Sequence, residues 1–571
     1  MRRVLWLIFI SVLLFISASA FSQSYPVPRN EAVVIETDTK YTVFDKANPL
    51  VPRGTQWGSG WHQVCNEWDW YINYATGETI YWRIKGWKYS EDHKELYWYV
   101  REGVKWNDGV PYTAEDIVFT LNLLKENPDL YGAQYMEFVD SVELVDKYTA
   151  IIKFKKPQYR FHQYFRMWGG ITIVAKHVWE GKDPHDFTNW PPVETGPYKF
   201  HSYHKDLNLF IWERNDDYWA KDVFNVSPGP KYVIFRMAPP PDIDLVDYIR
   251  GGVDAPLPHI FTWQMIKAAQ KQSKNVVLAP YMDAVSQGIC SFNCVKYPTS
   301  IREFRWAIQY LANRELLART YPMAEKSYPT MWPWPDWKSL DKWEFPEIKE
   351  KYGPKMVYDP KKAEEILDNL GFKKGPDGKR RTPDGEPLSL VLLTRPAPDL
   401  GYPHAKHLAD ELAKIGIEAI VRSVDPGMFG ELVNIGDYDL SFDVLDTAVA
   451  FPNDIYQFFY TYHSKHAKPI GEYQTTGDRG RSRLQSKELD EVVEKMATMD
   501  PASEEYMELA KKGLDIWYSE LPSVPLIEKM FVQVFSSKYW KGWPDENNMY
   551  QVPYQWWPSF IFILFNLTPS E

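Results

Sequence analysis

The sequence predicts an α/β chain folded as two lobes. Three observations carry this. A chain of 571 residues is more than one hydrophobic core usually serves, so division into lobes follows. Strand-like and helix-like patterns alternate between about residues 280 and 530, as in an α/β layer architecture. Residues 97–124, YWYVREGVKWNDGVPYTAEDIVFTLNLL, read as a strand, a tight turn and a capped helix in one run.

The elements follow in chain order. Met1-Arg2-Arg3, an apolar run from Val4 to Ile16 and Ser17-Ala18-Ser19-Ala20 form the positive, apolar and small-residue parts of a secretory signal, residues 1–20. The run falls short of the roughly 20 residues of a membrane span. No Cys stands at the cleavage site, against a lipid anchor. Ala32 to Glu36 is a strand leading to Asn48-Pro49-Leu50. Tyr97 to Val100 is a strand, and Asn107-Asp108-Gly109 turns the chain. Thr113 then serves as N-cap with Asp116 at N3, where a carboxylate reaches back to the cap and suits the helix dipole. Val118, Phe119 and Leu121 start the apolar face of that helix.

Pro239-Pro240-Pro241 precedes a helix from Asp242 to Arg250, with Gly251 as its C-cap. Gly288 to Val295 and Leu388 to Leu393 are strands. His404 to Lys414 is a helix, followed by a buried strand at 416–421. Phe560 to Phe565 is apolar but too short to span a membrane.

The net charge of −11 argues against nucleic-acid binding, which favours basic patches. Three cysteines, Cys65, Cys290 and Cys294, are few for a secreted chain. Positions i and i+4 in a strand lie about 13 Å apart, so Cys290 and Cys294 do not pair if that strand is real. Cys65 pairs with one of them, or all three are thiols. His404, His407 and Glu411 share a helix face, either as a solvated surface or as metal ligands; the solvated reading is preferred, and no metal or cofactor is expected. No Ser-His-Asp set, P-loop or HExxH is visible.

The run at 97–124 resembles the signature of the family 5 extracellular solute-binding proteins, receptors of ABC importers of the dipeptide, oligopeptide and nickel type. Further segments keep the family's order. Glu194-Thr195-Gly196-Pro197-Tyr198 is similar to its GTGPY segment, with Glu194 in place of Gly. Arg214-Asn215 with Tyr218-Trp219 is similar to RNxxYW. Gly251-Gly252-Val253-Asp254, Ile301 to Ile308, Asn313-Arg314-Glu315, Tyr358-Asp359-Pro360 with Gly371-Phe372, and Leu521-Pro522-Ser523-Val524-Pro525-Leu526 resemble later segments.

The resemblance implies a periplasmic-binding-protein-like, two-lobe fold with a hinge. The first lobe takes residues 21–275 and 536–571, with a small subdomain inserted at about 51–190. The second lobe takes 276–535. It further implies a monomeric, non-enzymatic, periplasmic or extracellular receptor that delivers ligand to a membrane permease. The apo form is expected to be open, with ligand favouring closure.

For the ligand, the aromatic content is informative. Twenty-five Trp and 37 Tyr help bring aromatics to 16%. Indoles fill cores and also stack on sugar rings, whose hydroxyls need polar partners alongside. Trp57 and Trp61 lie in a polar, Gly-rich loop with Gln56 and Gln63; Trp332 and Trp334 lie in a Pro-rich loop; Trp556 and Trp557 lie near the C-terminus. Loops run over surfaces and carry function, so these are the candidate platforms. Gln56, Gln63, Asn453 and Asp454 are the candidate hydroxyl partners.

Peptide receptors of the family have a segment like W-x-A-D-Y-P-D-P, whose first Asp pairs with the peptide amine. The corresponding stretch, Thr447 to Asp454, has Ala450 there, with Asp446 four residues earlier. A buried ammonium without a counter-charge is costly. The chain therefore resembles the sugar-binding branch, and an oligosaccharide of β-linked gluco-, manno- or xylo-type is the expected ligand. A peptide or nickel receptor is the alternative. A secreted glycosidase is a third reading and would need two carboxylates about 5–9 Å apart.

Overall fold

A computed structural model describes residues 25–570 except 42, 53, 56, 57, 167–169, 259, 322–325, 338, 339, 397–400, 444–453, 475–481, 555 and 556. The secretory signal expected at residues 1–20 lies outside the described residues, as does Ala450. The chain divides into two units: one ends at Pro280 and resumes at Val532, the other is Tyr281–Phe531. Both boundaries fall inside long strands, Val276–Phe292 and Ser523–Ser536.

In the first unit, the strand Ala32–Thr37 pairs in parallel with Tyr232–Met237. Antiparallel strands Leu209–Arg214 and Tyr198–His204 complete that sheet. Side chains alternate across a strand. Val33 and Ile35 accordingly join one apolar core with Trp212 and Phe235, while Ala32 and Val34 join a second with Ile211 and Ile234. Both faces are covered, which is why Ala32 to Ile35 reads as an unbroken apolar run. The C-terminal segment returns to this unit: the Trp540 indole donates to Ala32 O at 2.8 Å, and Trp543 stacks on Phe535.

A second sheet runs in the order Ile84–Tyr89, Glu95–Val100, Thr149–Phe154, Val139–Asp146. The helix Ala114–Glu126 lies against it. Thr113 caps this helix, and the Asp116 carboxylate accepts from Thr113 N at 2.8 Å, a full capping box. Thr113→Ala is expected to cost about 1 kcal/mol in denaturant unfolding, the usual worth of an N-cap.

In the second unit, one sheet has the order Lys326–Pro329, Ser523–Ser536, Val276–Phe292, Leu440–Asp443, Ser389–Thr394, Glu418–Ser423. The strand expected to be buried at 416–421 is instead Glu418–Ser423 at the sheet edge, with Ile420 51% exposed. Helix Tyr402–Lys414 packs on its neighbours. The three cysteines are free thiols; Cys65 and Cys290 are buried and Cys294 half-buried. Cys294 lies just past the end of its strand, in the turn that follows. Among the described residues no helix is long and apolar enough to cross a membrane.

Candidate functional site

Gln56, Trp57, Asn453 and Trp556 lie outside the described residues. The other six candidates are placed, and none stands on an open surface loop. Trp61 and Gln63 lie in a buried π-helical turn, Trp61–Cys65. Trp557 is buried edge-on against Tyr74, ring centroids 4.4 Å apart. Asp454 is buried, accepting from Tyr456 N at 3.0 Å and from the Tyr506 hydroxyl. All four side chains are buried, where Gly- and Pro-rich loops were expected to run over the surface. Large apolar side chains from elsewhere in the chain cover them.

In the first unit the π-helical turn meets the segment Glu194-Thr195-Gly196. Gly196 N donates to Cys65 O at 2.7 Å, and a Cβ on Gly196 would lie 2.1 Å from that oxygen. Only glycine allows this approach. Glu194 is 2% exposed. Burial pushes its carboxyl up to about 8, against the pull of Arg83, the neighbouring Trp61 indole and a hydrogen bond from Asn189 Nδ2 at 3.3 Å.

Two further buried carboxylates sit close by. Asp69 accepts from Arg83 Nε at 2.9 Å, the Tyr112 hydroxyl at 2.6 Å and the Trp98 indole at 2.9 Å. Glu67 accepts from the Trp82 indole at 2.8 Å, the Trp219 indole at 3.0 Å and the Tyr218 hydroxyl. Sequence reasoning missed both acids. The signal was the alternation Glu67-Trp68-Asp69-Trp70, which puts two acids on one side of an extended segment.

In the second unit, Met331-Trp332-Pro333-Trp334-Pro335-Asp336-Trp337 is stiffened by two prolines of fixed φ. Residues two apart in extended chain share a side. Trp332 and Trp334 stack, centroids 5.5 Å apart and planes 15° from parallel. Tyr518 packs edge-on against Trp332, and Phe458 against Trp334. Trp337 is anchored by its indole to Met282 O at 3.0 Å. The two stacked indoles are 8% and 5% exposed.

Three carboxylates accompany this stack. Glu528 Oε1 accepts from Asp336 N at 2.7 Å. Burial pushes Glu528 up to about 7, with Asp336 and Glu344 adding to the rise and the Asp336 N–H and Lys529 opposing it. Burial also pushes Glu344 up to about 7, with Asp336 and Asp341 adding, and with Lys349 and the Trp334 indole opposing. Among the described residues no basic side chain makes an ion pair with Asp336, Glu344 or Glu528. Ionised carboxylates accept only, and protonated ones also donate, so near neutral pH this patch offers both functions beside an indole pair.

The His404 face is used internally. His407 Nε2 accepts from Asn313 N at 3.2 Å, and Glu411 accepts from the Tyr358 hydroxyl at 2.6 Å and Lys414 Nζ at 2.7 Å. His404 and His407 line a small apolar cavity with Cys290 and Phe442. Among the described residues no group of three or more His, Cys, Asp or Glu is placed to hold a metal.

A family model described as bacterial extracellular solute-binding proteins, family 5 Middle, matches residues 78–468. The chain belongs to family 5 of the bacterial extracellular solute-binding proteins. It is therefore a solute-binding receptor of an ABC importer, in a family of receptors rather than enzymes. The dipeptide-binding protein of Escherichia coli strain K12 is 22% identical over 396 residues, 64% of this chain and 67% of that one. The periplasmic oligopeptide-binding protein of an oligopeptide ABC transporter from Thermotoga maritima superposes with a TM-score of 0.81 at 23% identity. That match covers 95% of this chain and all of the other. A crystal structure of the same Thermotoga protein with mannohexaose bound gives a TM-score of 0.77 at 24% identity, with the same coverage. These likenesses carry the α/β binding-protein fold.

Proposed function

We propose that this receptor captures an oligosaccharide, using the Trp332–Trp334 stack as a platform and Asp336, Glu344 and Glu528 as hydroxyl acceptors. The observation that carries the reading is the indole pair beside three carboxylates that form no ion pair among the described residues. Pyranose C–H faces pack on indole, and sugar hydroxyls donate to carboxylates. The mannohexaose complex of the Thermotoga protein supports the same ligand class. The stack is mostly covered here, so sugar entry requires the side chains over it to move.

A peptide is the second reading, favoured by the similarity to the dipeptide-binding protein. The same carboxylates would pair with a ligand ammonium. Calorimetry at pH 7 against di- to penta-saccharides and di- to penta-peptides separates the two. Saccharide heats with silent peptides are expected; peptide binding with no saccharide response rejects the sugar reading. Trp334→Ala is then expected to weaken saccharide binding by about 1–3 kcal/mol, the worth of one large buried apolar side chain. The folded fraction, checked by circular dichroism, must be the species titrated.

A further inference from the structure

Beyond the indole platform, the first unit contains buried amides that the receptor role does not use. Gln63 is 1% exposed, Asn66 0% and Gln551 2%. Among the described residues, Gln63 Oε1, both Asn66 side-chain polar atoms and Gln551 Oε1 have no hydrogen-bond partner. Gln551 Nε2 donates to Ser559 O at 3.4 Å. Ser559 lies in the turn Pro558–Phe560, which packs on the π-helical turn Trp61–Cys65 that carries Gln63 and ends at Asn66. Gln551 is thus hydrogen-bonded to a turn that touches the segment carrying Gln63 and Asn66.

Folded proteins leave few buried polar groups unpaired, because each one stripped of water and left alone is unfavourable. Four such atoms on segments linked through Ser559 imply partners. All belong to neutral primary amides, which both donate and accept. A charged ligand would face no opposite charge from them, whereas a hydroxyl matches both functions. One-turn π-helices also concentrate at functional sites.

We propose that Gln63, Asn66 and Gln551 form a hydrogen-bonding subsite for a neutral hydroxyl group, supplied by an ordered water or by a saccharide hydroxyl. The water source is independent of the sugar reading; the saccharide source rests on it.

The test replaces Asn66 by the similarly shaped but apolar Leu, with Gln63→Met as a second variant should Asn66→Leu fail to fold. Melting temperature and saccharide affinity are measured on each. A fall in melting temperature with unchanged affinity supports the subsite and identifies water as its occupant. Affinity weakened at least about tenfold, equivalent to about 1.4 kcal/mol, with an unchanged melting temperature supports it and identifies the saccharide; a fall in both supports it with both sources. A higher or unchanged melting temperature together with unchanged affinity overturns it, because removing an unpaired amide then costs nothing. If the unmodified protein binds no saccharide, the sugar reading fails on that titration alone, while the melting temperatures still decide the subsite.

Discussion

Arg83→Met is expected to destabilise the protein by about 3–5 kcal/mol, among the largest effects of any single substitution here. Arg83 is fully buried and pairs with Asp69 at 2.9 Å. Its guanidinium also lies over the Tyr112 ring, 4.6 Å from the centroid, and reaches Thr195 Oγ1 at 3.4 Å. Burial pulls the Arg83 pKa down, but Tyr112, Asp69 and Glu67 more than reverse that, so the cation is held firmly. Removing it strips the buried Asp69 of its ion-pair partner. The indole of Trp98 and the hydroxyl of Tyr112 would still donate to it, but neutral donors do not replace a full charge. Guanidinium unfolding at pH 7 measures the loss. The double variant Arg83→Met, Asp69→Leu should recover part of it, because the stranded charge goes too. A double variant no more stable than the single would show that the donors around Asp69, not the ion pair, dominate.

How much of this was legible in the sequence follows from the range of each interaction. The Thr113–Asp116 box could be read directly, since both partners sit within one helical turn. The Pro241–Arg250 helix and its left-handed Gly251 cap were legible for the same reason. The family resemblance rested on such local segments, and the fold followed. The edge position of Glu418–Ser423 was not legible, because sheet order is a non-local property and an apolar run alone does not show which strand is outermost. Trp332 and Trp334 were legible as a pair two residues apart between prolines. Their covering by Phe458 and Tyr518 was not, as those rings arrive from more than 120 residues along the chain. Glu67 and Asp69 draw donors from positions 82, 98, 112, 218 and 219, a convergence that only the folded chain displays.

Glu194→Gln is expected to stabilise the protein progressively as pH rises, by several kcal/mol above pH 8. Glu194 occupies the position where the family segment has glycine, and its carboxyl is buried against Trp61 and Asn189. Burial raises its pKa from an ordinary 4.5 to about 8. The folded state therefore holds a proton that the unfolded chain releases near the ordinary value. Below the unfolded value both states are protonated, and the group contributes nothing. Between the two values the folded state binds more protons, so stability falls as pH rises. Above the folded value both are ionised and the full penalty applies, on the order of 4–5 kcal/mol at about 1.4 kcal/mol per pH unit. Gln keeps the shape and the acceptor for Asn189 but cannot ionise. Buried Glu528, Glu344 and Asp244 also have raised pKa values, so the quantity to measure is the difference between variant and unmodified protein. Denaturant unfolding from pH 4.5 to 8.5 should give a difference near zero at the acid end that grows toward the alkaline end. A difference independent of pH would mean that Glu194 is ionised throughout, held by Arg83 more strongly than burial opposes it.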